Sequence, residues 1–135
     1  MTDVDAEMTE QARASMPLAG TLGLEVVAAS PDEVHMRLEH QDRLCTAGGI
    51  LHGGALMTLA DSTGAICAYL NLPEGATATA TIESKTNFFR PVSSGHVEAT
   101  SRVLHRGRTT IVVETDVRDA EGKHVARVTQ TQAVI

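Results

Sequence analysis

One long apolar helical stretch, residues 53–71, stands alone among short alternating runs, and this contrast limits what the chain can fold into. Strand-like runs occupy 23–30 and 33–40 before it, and 77–89, 96–105, 109–118 and 123–134 after it. In the second run Val34, Met36 and Leu38 fall on one face, and Glu33, His35, Arg37 and Glu39 on the other. That alternation is the pattern of a half-buried strand. Pro31-Asp32 marks a turn between the first two runs, and 41–52 reads as a loop. "PVSSG", "RGR" and "AEG" punctuate the later runs, so the last three form an antiparallel meander. An isolated helix with an apolar stripe needs a sheet to cover it. The expected architecture is therefore α+β, with a six-stranded antiparallel sheet wrapped around one long central helix. Residues 4–16 predict a short helix that stops before Pro17, making 1–16 an N-terminal arm on a single domain spanning 1–135.

Composition narrows the function. The chain has 135 residues, 42% of them hydrophobic, which is enough for a real core. Its net charge of −6 and its three aromatics, Tyr69, Phe88 and Phe89, argue against nucleic acid, which needs phosphate neutralisation and stacking surfaces. The acidic start "MTDVDAEMTEQARASMP" lacks the basic and apolar regions of a secretory signal. No apolar run approaches the roughly 20 residues that span a bilayer, so no membrane partner is expected. Two cysteines without CxxC spacing, Cys45 and Cys67, suit a reducing cytoplasm. The six histidines show no ligand spacing, and Walker and dinucleotide glycine motifs are missing, so neither metal nor cofactor is expected. No GxSxG elbow supplies a serine nucleophile.

The chemistry concentrates in "GILHGGALMTLADSTGA", residues 49–65. At about 100° per residue, Leu56, Leu59, Thr63, Ile66 and Leu70 share the face expected to meet the sheet. Asp61 lies opposite, beside Met57, Gly64, Ala65 and Ala68. A carboxylate on such an apolar face suits a pocket wall or a subunit interface. It also fits a helix aspartate bonded locally, for example to Thr58. Gly53 and Gly54 open the helix, where the first N–H groups lack internal partners and the macrodipole is positive. Without a Cβ, they let a carbonyl oxygen approach closely. They equally permit tight loop packing, and spacing leaves both readings open. Gly53 and Asp61 are about 12 Å apart along the helix, too far to share one reacting carbonyl. If they cooperate, they come from two chains.

"GGILHGGALMTLAD", then "TIESKTNFFRPVSSG", then "RVLHRGRTTIVVETDVRDAEGKHVARVTQTQ" resemble a hotdog-fold acyl-CoA thioesterase of the phenylacetate-degradation (PaaI-like) subfamily, over about residues 17–134. The resemblance implies a homodimer joined through the 77–89 strands, dimers paired into a homotetramer, and an acyl-CoA thioester hydrolysed to acid and free thiol. It gives the Gly53 amide the task of polarising the carbonyl, and Asp61 of the other chain that of nucleophile or general base. Thr46 stands where the family often has an amide side chain, and Thr81 matches a Ser/Thr that positions the attacking water. His52 fixes the loop through a ring hydrogen bond. Substrate contacts are expected from Gly54, Met57 and Ala65, and from Arg90, Arg106 and Arg108 toward the coenzyme A phosphates. Two rivals share the fold: a hotdog hydratase or dehydratase, and a non-catalytic acyl-CoA-binding or sensor protein.

Overall fold

The computed structural model describes residues 3–135. Two short helices, α1 (Ala6–Ser15) and α2 (Pro17–Leu22), precede the strands β1 (Glu25–Ala29) and β2 (Val34–Glu39). The long helix α3 (Gly53–Tyr69) follows, and then β3 (Thr79–Phe88), β4 (His96–Arg106), β5 (Thr110–Asp119) and β6 (His124–Val134). The six strands form one antiparallel sheet in the order β1-β2-β4-β5-β6-β3. The expected meander is present, and β3 crosses over to the far edge beside β6.

The core lies where the inner face of the sheet meets α3. Val34, Met36, Leu38, Val97, Ile111, Val113 and Val117 from the strands are buried with Leu56 and Leu59 of the helix. Their period-two spacing along each strand puts every second residue on this face.

Helix α2 departs from the sequence expectation. Pro17 ends α1 as foreseen, but it also occupies the first turn of a new helix, where its missing N–H costs nothing. Gly23, at φ +78°, closes that helix in the left-handed cap conformation.

The two faces assigned to α3 also need correction. Gly64 and Ala68 are buried against the sheet instead of flanking Asp61, whereas Leu70 is exposed and Ile66 only partly covered. Seventeen residues carry too few large side chains on one stripe to fix that stripe's angle, and the small residues let the sheet approach closely. A Cβ built on Gly64 would lie 2.4 Å from Oε1 of Gln130, a fully buried residue of β6.

The two sheet edges differ. β1 is tied to α1: the Asp5 amide donates to the Val26 carbonyl at 2.8 Å, and the Val26 amide donates to the Thr9 hydroxyl at 2.8 Å. β3 is bare, with eight of its ten residues exposed.

Candidate active site

The loop before α3 is shaped by its glycines. Gly48 and Gly49 take φ of +83° and +74°, which turns the chain so that Cys45 bridges to Leu51. His52 then caps α3, its ring Nδ1 accepting from the Gly54 amide at 2.8 Å. The ring proton therefore belongs on Nε2.

This cap separates the two glycines. Gly54's amide is taken by His52, whereas Gly53's, the first in the helix, has no intrahelical partner and no other among the described residues. It opens on a cavity of about 430 Å³ lined by Thr46, Ile50, Phe88 and Arg90, among others. Phe88 lies over the glycine: a Cβ there would sit 3.0 Å from the ring's Cζ.

Asp61 opens on a different cavity, of about 440 Å³, together with Gly54, Met57, Thr58, Ser62 and Ser84, and roofed by Met16, Leu18 and Ala19. Among the described residues no group hydrogen-bonds or ion-pairs with its carboxylate. Thr58 does not bind it; its hydroxyl donates to the Gly54 carbonyl at 2.9 Å. Desolvation by the surrounding protein raises the Asp61 pKa above the ordinary aspartate value, and no cation offsets it.

One chain thus presents the free amide and the free carboxylate in separate cavities. Thr46 and Arg90 accompany Gly53, and Met57 and Gly54 accompany Asp61. Thr81, on the exposed β3, accepts from Gln132 Nε2 at 2.8 Å. Ala65 is half-buried on α3 between Asp61 and Tyr69. Arg106 and Arg108 line neither cavity. Arg106 donates to Asn71 just past the other end of α3, about 27 Å along the axis from Gly53. Cys67 does not compete as a nucleophile, because burial, partly offset by Arg106, pushes its thiol up to about 11.

Three contributors escaped the sequence reading. The α2 residues over Asp61 were hidden by taking Pro17 only as a stop. Ser84 sits in a run whose inward face could not be told from its outward one. Phe88 was visible within "NFFRP", yet nothing in the spacing aimed it at Gly53.

A thioesterase-superfamily profile matches residues 48–126, which include both Gly53 and Asp61. The chain belongs to the thioesterase superfamily. It is 40% identical over 75 residues to the proofreading thioesterase EntH of Klebsiella pneumoniae, covering 56% of this chain and 54% of that relative. Thioesterase HI1161 of Haemophilus influenzae superposes with a TM-score of 0.87 at 28% identity, covering 99% of this chain and 93% of that one. A mutant of thioesterase PA1618 of Pseudomonas aeruginosa gives 0.86 at 30% identity, covering 94% and 93%. The sheet around α3 is accordingly the hotdog fold of this superfamily. No helix among the described residues is long and apolar enough to cross a membrane.

Proposed function

We propose that this thioesterase-superfamily member is a PaaI-like acyl-CoA thioesterase, hydrolysing an aromatic or medium-chain acyl thioester to free acid and coenzyme A. The observation that carries the reading is the separation of the free Gly53 amide and the free Asp61 carboxylate into two cavities of one chain. A homodimer joined edge to edge through β3 brings each half to the other's complement, and a second pairing gives the homotetramer. The exposed Ile82 on β3, and Phe88 and Phe89 at its end, supply apolar surface for that joint. Two free thiols suit a cytoplasmic setting.

In this reaction the thioester oxygen accepts the Gly53 N–H, with the positive helix end behind it as the oxyanion develops. The partner subunit's Asp61 then either attacks the carbonyl carbon, giving an anhydride that water opens, or takes a proton from the attacking water. Both routes expel the coenzyme A thiolate. A carboxylate desolvated and unpaired is a stronger base than an ordinary aspartate, which favours either role. Thr46 and Thr81 orient the carbonyl and the water, Met57 and Ala65 border the acyl group, and Arg90 meets a coenzyme A phosphate. Arg106 and Arg108 reach the cofactor-like tail only if a neighbouring subunit brings them to it.

The test is release of free thiol from a panel of acyl-CoAs by wild type, Asp61→Asn and Asp61→Ala. Hydrolysis by wild type and its loss in both variants is expected. Variants as fast as wild type would refute the assignment, and tight binding without turnover would identify an acyl-CoA-binding protein.

A further inference from the structure

Ahead of Asp61 on α3 lies a third hollow, of about 270 Å³, that the thioester chemistry leaves unused. Leu22, Leu44 and Ala55 give it apolar walls, and Arg43 and His52 bring polar groups to it. It shares Gly54 and Thr58 with the Asp61 cavity, so the two meet along one stretch of the helix. Thr58 and Gly54 precede Asp61 by about 4.5 and 10.5 Å along the axis.

Arg43 is oriented there and uncompensated. Gln41 Nε2 donates to the Leu22 carbonyl at the end of α2 at 3.4 Å, and Gln41 Oε1 accepts from Arg43 Nε at 3.1 Å. This relay holds one edge of the guanidinium and leaves its two Nη groups without an acceptor among the described residues. No ion pair joins Arg43 to a carboxylate among them, Asp61 included, although the whole chain carries a net charge of −6. His52 adds a second donor: its Nδ1 is committed to the Gly54 amide, so its Nε2–H is left without an acceptor among the described residues. No acidic side chain lines the hollow. A donor-only rim above apolar walls fits a carboxylate carried on a short run of methylenes.

Two parts of an acyl-CoA bear such an oxygen anion, the far end of a dicarboxylic acyl group and the phosphates of coenzyme A. The first phosphorus of extended coenzyme A lies about 16 Å from the sulfur, farther than Gly54 is from Asp61. The far carboxyl carbon of a hexanedioyl group lies about 6 Å from its thioester carbon, within that stretch of helix. We propose that this hollow binds a terminal carboxylate of the acyl group, with Arg43 as its cationic partner and His52 as second donor. Thioesters of short dicarboxylic acids are then the preferred substrates. This rests on the thioesterase reading and names its substrate class.

The experiment measures kcat/KM for hexanedioyl-CoA and hexanoyl-CoA, and for the same acyl groups on pantetheine, which lacks the phosphates. Wild type, Arg43→Gln and Arg43→Lys are compared. Wild type is expected to favour the dicarboxylic thioester by about tenfold or more, as a hydrogen-bonded charge pair gives. Arg43→Gln abolishes the preference on both carriers, and Arg43→Lys keeps part of it. In wild type the preference shrinks as salt rises from about 0.05 to about 0.5 M. No preference in wild type, or one that Arg43→Gln leaves intact, would overturn the subsite and leave the thioesterase reading standing. An equal fall for both acyl groups that disappears on pantetheine would assign Arg43 to a phosphate and overturn the subsite as well. If no thioester is hydrolysed, calorimetric binding of the two non-hydrolysable thioethers decides. Tighter binding of the carboxylated one, lost in Arg43→Gln, would support the subsite and refute the catalytic reading; equal binding would overturn both. Arg43 is exposed, so both variants should fold; thermal unfolding checks this, and the salt dependence of wild type stands without them.

Discussion

Adding one methyl group at Gly64 tests how closely the sheet grips α3. The new Cβ would stand 2.4 Å from Gln130 Oε1, 2.7 Å from its Cδ and 3.0 Å from its Nε2. Gln130 is fully buried, so its amide can yield only against packed neighbours, although neither amide atom is held by a hydrogen bond. Overpacking of this kind costs about 1–3 kcal/mol. Against it, alanine is about 1 kcal/mol better than glycine inside a helix. Gly64→Ala should therefore be neutral to about 2 kcal/mol destabilising, the difference of those two ranges. In a Gln130→Ala background the obstruction is gone, and the same change should stabilise by about 1 kcal/mol. The coupling between the sites is then about 1–3 kcal/mol. Thermal and urea unfolding of the four proteins at one concentration measures it, with about 3–5 °C expected per kcal/mol for a chain of this size. A coupling below about 0.5 kcal/mol would mean that the two residues do not meet.

The raised pKa of Asp61 has two consequences of opposite sign. If the ionised carboxylate reacts, the acid limb of the kcat/KM profile lies above the usual aspartate range and vanishes in Asp61→Asn; a limb near pH 4 would contradict the desolvated site. Because the folded pKa exceeds the unfolded one, the group favours folding below the unfolded value, and this stability is lost as pH rises through the folded value. Asp61→Asn should thus unfold at a higher temperature than wild type near pH 7, with the gap closing below about pH 4; a gap that widens in acid would reverse the argument. His52→Ala removes the α3 cap and should cost about 0.5–2 kcal/mol by urea unfolding, most of it restored in His52→Asn. Gly53→Val must displace Phe88 and crowd the free amide, so thiol release should fall at least about 100-fold, as when an oxyanion donor is lost, and activity within twofold of wild type would remove Gly53 from the site.

Elements with strict local signals are legible in the sequence. The alternation of Val34, Met36 and Leu38 marked a strand, and β2 runs from Val34 to Glu39. The strand order was less legible: nothing in 77–89 says that it pairs with β6 and not with β4, because such pairing depends on where α3 delivers the chain. The position of Gly53 at the helix start followed from the motif, but the loss of Gly54's amide to His52 depends on a ring rotamer that sequence does not encode. Gly64 was misplaced for a related reason. Glycine carries no hydropathy signal, and its burial is decided by Gln130 arriving from a strand 66 residues later.

The unequal edges of the sheet bear on how copies of this chain can add to one another. A sheet with two free edges, each accepting the other, grows without limit into a fibre. Here the Val26 backbone groups in the middle of β1 are already engaged by Asp5 and Thr9, so a newcomer's ladder is interrupted there. β3 is the bare edge, and the β3-to-β3 joint proposed above would use up the bare edges of both copies at once. In the proposed dimer the N-terminal segment would thereby act as a chain terminator, holding the joined sheet at twelve strands, two sheets of six.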